Sequence, residues 1–217
     1  MTRILVINPN ATEAMTHAIQ ASAQAALPGG TVEAWTSHDG PAAIEGAQDG
    51  ARAIPPLLRL IKSARDIDGI IIACFDDTGL AEAKALSPVP VIGIGEASFH
   101  MARLLGHRFS VVTTLPVSVP VIEGNIQATG FADVCGRVRA SNVPVLELER
   151  DPKAAFHAIR AEAEQALAQD GVSAIVLGCA GMTGLAESLA DLPAQIIDGV
   201  PAAVHLAFAS ASLRRAG

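Results

Sequence analysis

The chain repeats itself. Ile71–Leu80 reads IIACFDDTGL and Ile175–Leu185 reads IVLGCAGMTGL. Each stretch is an apolar run that ends in a cysteine, with Thr-Gly-Leu beginning four residues later. Cys179 lies 105 positions beyond Cys74, and the same shift superimposes much more. Thr78 meets Thr183, Gly79 meets Gly184, Leu80 meets Leu185 and Glu82 meets Glu187. Pro88 then falls on Pro193, Ile92 on Ile197 and Ala97 on Ala202, while further forward Val6 falls on Val111 and Asn8 on Thr113. A self-match held at one spacing predicts two copies of one structural unit, related by a pseudo-two-fold axis.

Within each copy, short apolar runs alternate with helical patterns. RILVIN (Arg3–Asn8), TVEAWTS, GIIIAC and PVIGIG read as strands of the first copy. RFSVVTT, GRVRAS, AIVLGC and AQIID read as strands of the second. Helical composition lies between them, most clearly in Pro152–Gly171, which opens on Pro and closes on Gly. Pro55-Pro56 is expected to break or start a helix in the stretch 46–65. Strands alternating with helices argue a parallel-sheet α/β fold. The expected architecture is two pseudo-symmetric lobes, each a parallel four-stranded sheet flanked by helices, with the active site in the cleft between them. Lobe 1 spans 1–98 and lobe 2 spans 99–200, and the C-terminal helix 201–217 is available to pack back on lobe 1.

Composition narrows the function. Half of the 217 residues are hydrophobic and 17% are charged, enough for a sizeable core and against disorder. Aromatics are 3% and Tyr is absent, which removes the rings a nucleic-acid stacking platform needs. The formal charge of −7, without a Lys/Arg run, disfavours nucleic acid and anionic membranes as partners. The N-terminus has too short an apolar run for a signal peptide and no segment would span a bilayer, so a cytoplasmic location is expected. Three cysteines do not read as a disulfide framework, and the six histidines show no metal-type spacing, so no metal is expected.

In parallel sheets, ligands gather beyond the carboxyl ends of the strands. Cys74 and Cys179 both fall there, each expected just before a helix N-terminus whose free N–H groups lower a thiol pKa. Two facing lobes would set one thiol on each side of a cleft. Opposed acid/base groups suit inversion of a stereocentre: one takes a proton from one face of a carbon, the other returns a proton to the opposite face. The plainer reading is that both are buried small hydrophobes, a common fate of free cysteine; their matched placement argues against it. Cys135 has no counterpart and is read as inert.

Other groups join them. Phe75, Asp76, Asp77, Thr78 and Gly79 form the candidate wall around Cys74, and Ala180 and Gly181 are small enough to bare backbone donors beside Cys179. Asp76 and Asp77 either cap the following helix or, near Cys74, raise its pKa. Asn8 is a candidate to pair with a ring amide, and Asn10 a weaker one; Asx capping is the alternative for both. Thr113 and Thr114 occupy the matching loop of lobe 2, as carbonyl donors or strand ends. Gly93–Ser98 (GIGEAS) resembles a dinucleotide fingerprint, yet its counterpart at Asp198–Pro201 shows no such pattern, so no nucleotide role is expected. None of Lys62, Lys84 and Lys153 lies at a strand end beside the cleft, against a Schiff-base cofactor.

At ILVINPN, ACFDDTGL and LGCAGMTGL the sequence resembles the aspartate/glutamate/hydantoin racemase superfamily, nearest its hydantoin and allantoin racemases. The resemblance covers essentially the whole chain. It implies a cofactor-independent two-cysteine racemase, with Cys74 and Cys179 as the bases and a 5-monosubstituted hydantoin or allantoin as substrate. It also implies a homo-oligomer. Amino-acid racemases of the superfamily follow their cysteines with Asn-Thr and Thr-His, where this chain has Phe75-Asp76 and Ala180-Gly181. Aspartate or glutamate is therefore the less expected substrate. The competing enzyme reading is an arylmalonate-type decarboxylase needing only Cys179 as proton donor; those relatives resemble the second site only and lack the first cysteine, so Cys74 favours racemisation. A non-catalytic small-molecule binding protein is the remaining alternative.

Overall fold

In the computed structural model, residues 1–215 are described. Strands β1 (Arg3–Asn8), β2 (Thr31–Thr36), β3 (Gly69–Ile72) and β4 (Val91–Gly93) make one sheet in the order β2-β1-β3-β4. Strands β5 (Phe109–Thr113), β6 (Cys135–Ala140), β7 (Ala174–Gly178) and β8 (Gln195–Asp198) make a second, in the order β6-β5-β7-β8. All pairings are parallel, as strands joined by crossovers require. The second order is the first moved on by four strands, the structural form of the 105-residue repeat.

Both sheets are buried on both faces, which is why their central strands are apolar throughout rather than alternating with polar residues. Leu5, Ile7, Ile70 and Ile72 face outward onto Ala53, Leu57 and Ile61 of α2 (Ala47–Ser63) and Ala83 of α3 (Leu80–Leu86). Their counterparts Val112, Ile175 and Leu177 face Ala155, Ile159, Ala163 and Ala166 of α7 (Pro152–Gln169). The opposite faces carry Ile4, Val6 and Ile71 in one lobe and Val111 and Val176 in the other, and these share a single central core. That core is filled by α1 (Glu13–Ala25), α4 (Ile94–Leu104), α5 (Val119–Ala128) and α9 (Gly199–Arg215). Short helices α6 (Glu147–Arg150) and α8 (Leu185–Ser188) complete the second lobe.

The lobes are joined by an exchange. Helix α4 leaves β4 and packs against β7 and β8, while α9 leaves β8 and packs against β3, β4 and β1. The two helices also pack on each other, so closely at their starts that a Cβ on Gly199 would lie 2.8 Å from the Ile94 carbonyl oxygen. Phe99 of α4 bridges the core, stacked on Phe109 of the second sheet at 5.6 Å and edge-on to Phe75 at 5.8 Å. The C-terminal helix expected at 201–217 thus lies against the first sheet; its residues 216 and 217 fall outside those described.

Local expectations are corrected in two places. Pro55 and Pro56 do not break or start a helix: α2 runs through both. Proline's fixed φ is helical, and the two lost N–H bonds are outweighed by the buried stripe Ala53, Pro56, Leu57 and Ile61. Nor does an α-helix begin at either cysteine. Loop residues separate Cys74 from α3, and Cys179 is followed by a single 3₁₀ turn, Ala180–Met182. The repeated Thr-Gly-Leu marks the later helix starts instead, where Gly79 and Gly184 adopt φ of 68° and 86°, values that favour glycine. Among the described residues, no helix is long and apolar enough to cross a membrane.

Candidate active site

Cys74 stands two residues beyond β3 and Cys179 directly after β7, at the carboxyl ends of the two sheets. Both thiols line one cavity, together with Phe75, Asp76, Thr113, Thr114 and Ala180. It also takes in Asn10, Met15, Ile44, Ser118 and Val145. The cavity measures about 30 Å³, room for a water or two and no more. Its mouth is closed by contacts between lobes. Ser118 Oγ donates to Asp76 Oδ2 at 3.4 Å, Asn125 Nδ2 donates to the Asp76 carbonyl at 2.8 Å, and Val145 N–H donates to Glu45 Oε1 at 2.8 Å. At about 30 Å³ the cavity has no room for a ring-sized ligand while the lobes hold these contacts.

A larger hollow of about 470 Å³ lies on the other side of Asp76, between α2, α3 and α5. Thr78, Gly79 and Asp77 line that groove rather than the thiol cavity, and no cysteine reaches it. The smaller cavity is the candidate site, because both thiols line it.

Burial controls the ionisable groups. It pushes the Cys74 thiol well above the ordinary range, and the Asp76 carboxylate adds to this while a Thr78 hydroxyl 3.3 Å from Sγ offsets part. Cys179 is pushed up to about 12, by burial first; the Gly181 and Met182 N–H groups pull it down, while Asp76 and Glu45 push it up. The expected lowering by helix N-termini is therefore not realised. The N–H groups exist beside Cys179, but desolvation of the thiolate outweighs them. Asp76 itself is raised to about 6 by burial, against hydrogen bonds from Ser118 and Gly46. It bears on both thiols, as the expectation of a carboxylate beside Cys74 required.

The remaining candidates divide. Asn8 does not face the cavity. Its amide nitrogen is held by Asn10 Oδ1, Thr16 Oγ1 and the Thr12 carbonyl at 2.9, 3.0 and 3.2 Å, and its Oδ1 accepts the Asn10 N–H. It builds the turn that brings Asn10 to the cavity, so Asn10 has the place expected of Asn8. Thr113 lines the cavity, but its hydroxyl donates to the Gly178 carbonyl at 2.9 Å. Thr114 is 2% exposed, lines the cavity, and its hydroxyl has no partner among the described residues. Gly181 sits behind Cys179, where a Cβ would strike Leu148 at 2.8 Å.

Asp77 explains the dinucleotide-like glycines. Its carboxylate accepts the Gly95 and Glu96 N–H groups at 3.0 and 2.7 Å, so it fills the N-terminus of α4 where a phosphate would otherwise dock. A Cβ on Gly93 would lie 1.9 Å from Asp77 Oδ1, and one on Gly95 2.4 Å from the Phe75 carbonyl oxygen. These glycines make room for the cysteine loop. Lobe 2 makes the same tie from the other partner: Asp198, at the end of β8, accepts from Thr183 Oγ1 at 2.7 Å and Gly184 N–H at 2.9 Å in the Cys179 loop. Ile44, Glu45, Ser118, Asn125 and Val145 carried no motif, because their place in the site comes from contacts across the cleft. Cys135 lies in β6, outside the thiol cavity. Among the described residues no cluster of His, Cys, Asp and Glu could hold a metal ion.

With this geometry established, comparison with known proteins adds its weight. The Asp/Glu/Hydantoin racemase family model matches residues 4–207. The chain is 45% identical over 208 residues to the hydantoin racemase of Rhizobium meliloti, covering 94% of this chain and 86% of that one. It is 39% identical over 209 residues to the hydantoin racemase of Pseudomonas sp. strain NS671, covering 94% and 84%. The structure of allantoin racemase from Klebsiella pneumoniae superimposes with a TM-score of 0.95 at 42% identity, covering 99% of this chain and 89% of that one. The paired lobes, the two thiols on one cavity and these matches together make the chain a member of the Asp/Glu/Hydantoin racemase family.

Proposed function

We propose that this member of a racemase family inverts the stereocentre of a 5-monosubstituted hydantoin or of allantoin, using Cys74 and Cys179 as its two bases. The observation that carries the reading is that thiols from the two lobes line the same cavity. One thiolate removes the C5 proton from one face of the ring. The carbanion spreads into the C4 carbonyl, whose oxygen takes the charge. The opposite thiol then delivers its proton to the other face, and the pair is left with roles exchanged. Thr114, which lines the cavity and whose hydroxyl makes no hydrogen bond to the described residues, is suited to donate to the developing oxyanion.

Both thiols sit far above neutral pH in the closed cavity, so the thiolate has to form while the cleft is open and hydrated. Closure on the ring then excludes water and strengthens every interaction inside. All proton transfers in this scheme fall to groups of the chain itself.

The test is incubation of single enantiomers of several hydantoins and of allantoin in D₂O, following optical rotation and deuterium uptake at C5. Rotation should decay with deuterium entry in the wild type, and Cys74→Ala and Cys179→Ala should each abolish the decay. Racemisation that survives removal of either thiol rejects the two-base scheme.

A further inference from the structure

The walls of the thiol cavity contain no Lys, Arg or His among the described residues, and one charged side chain, Asp76. An α-amino acid or a malonate would bring its carboxylate into a pocket whose only charge is already negative. Such a ligand has no counter-ion there, and burying like charges together is costly. The Asp76 carboxylate is also under-used. Ser118 Oγ reaches it at 3.4 Å, and Gly46 contributes an N–H, while a carboxylate accepts roughly four hydrogen bonds. Asp76 is half-buried and lines both hollows, so on the side of the thiol cavity its carboxylate has room to accept a donor from the ligand.

The ring chemistry says which donor, on the racemase reading given above. C5 has to lie between the thiols, and Asp76 follows Cys74 by two residues and bears on both sulfurs. Two groups flank C5 in a hydantoin. The C4 oxygen gains negative charge in the transition state and would be repelled by a carboxylate. The other group, N1–H, is a donor. We propose that Asp76 is a specificity-determining residue that accepts the N1–H of a neutral cyclic ureide, leaving the C4 oxygen to the Thr114 side of the cavity. The same carboxylate excludes amino-acid and malonate anions.

The test compares 5-benzylhydantoin with 3-benzylsuccinimide, a ring of the same shape in which N1–H is replaced by CH₂. Dissociation constants are measured by calorimetry on the wild type, Asp76→Asn and Asp76→Leu, with thermal melts to confirm folding. The wild type should prefer the hydantoin by about 10–100-fold, the worth of a hydrogen bond to a charged group. Asp76→Leu should reduce the preference to less than about threefold, and Asp76→Asn, a neutral acceptor, should fall between. General damage to the site weakens both ligands alike and leaves the ratio unmoved. A wild-type preference below about threefold, or one that persists in a folded Asp76 variant, overturns the proposal. If neither variant folds, the wild-type preference read against pH decides: it should fall as acid protonates Asp76, and a preference unmoved by pH overturns the proposal. If hydantoins are racemised but both rings bind equally, this inference fails alone; if no hydantoin loses rotation or takes up deuterium, the racemase reading fails beneath it.

Discussion

Adding one methyl group at Gly93 should disable the site from behind. In Gly93→Ala the new Cβ would stand 1.9 Å from Asp77 Oδ1 and 2.9 Å from Leu80 Cδ2. The leucine end can swing away; the carboxylate must retreat by about 1.5 Å to reach ordinary contact. The Gly95 N–H bond, now 3.0 Å, then passes beyond hydrogen-bonding range, and the 2.7 Å bond to Glu96 weakens with it. Two bonds to a charged group would together cost about 3–6 kcal/mol if the carboxylate stayed ionised. Burial has already pushed Asp77 up to about 8, so taking up a proton near neutrality is easy and softens the loss. The expected destabilisation is about 3 kcal/mol, or a fall of about 1 M in the urea midpoint. Because Asp77 ends the cysteine loop, Cys74 should shift as well, with a ~10–100-fold loss of racemisation rate. Urea unfolding and polarimetry read the two effects. In an Asp77→Ala background the same Gly93→Ala change should add less than ~1 kcal/mol. A single-mutant loss below ~1 kcal/mol, or additivity in the double mutant, refutes the account.

Further outcomes follow from the same structure. Burial raises both thiols, so the thiolate fraction grows with pH: kcat/KM should climb by about tenfold per pH unit through neutrality, and Asp76→Asn should move the limb to lower pH; a flat profile counts against thiol bases. Thr78→Val removes the hydroxyl 3.3 Å from Cys74 Sγ, which holds that thiol down, and should shift the same limb to higher pH with less than ~1 kcal/mol change in stability by urea unfolding. Arg139 grips Asp170 through Nε and Nη2 at 2.8 and 2.7 Å in a buried pair, so Arg139→Met should cost about 3–5 kcal/mol at neutral pH. Asp170 is held below the usual carboxylate range chiefly by Arg139, so this stabilisation is present above pH ~4 and lost as pH falls through its folded value; the gap between variant and wild type in denaturant titrations should close on acidification. Phe99→Ala should cost about 3–5 kcal/mol by calorimetric melting, since the ring is fully buried against Phe75 and Phe109.

Much of this was legible in residue order because a repeat constrains two places at once. The runs ending in Cys74 and Cys179, and the left-handed Gly79 and Gly184, keep their spacing because each copy solves the same strand-to-helix turn. Two signals pointed away from the structure. Asn8 looked like a ligand-facing amide but is consumed by its own turn, and Pro55-Pro56 looked like a helix boundary where burial overrides the local preference. The thiol pKa values were unreadable in sign, since they depend on how completely the closed lobes exclude water. Nothing local marks Ser118 as reaching Asp76 across 42 positions, or Glu45 as reaching Val145 across 100. The cleft is assembled by tertiary contacts, and periodicity carries no trace of them.

The crossed helices have a consequence for how such a chain can come apart. Since α4 covers the second sheet and α9 the first, neither half keeps its own inner face dry when alone. A polypeptide cut between α4 and β5 would yield fragments that each expose the part of the sheet the exchanged helix covers, together with a stray apolar helix. Two copies of one such fragment, lending each other that helix, would rebuild the whole arrangement with true rather than approximate symmetry. The 105-residue echo is the trace of that near-symmetry in the sequence, with α4 and α9 at matching places in the two copies.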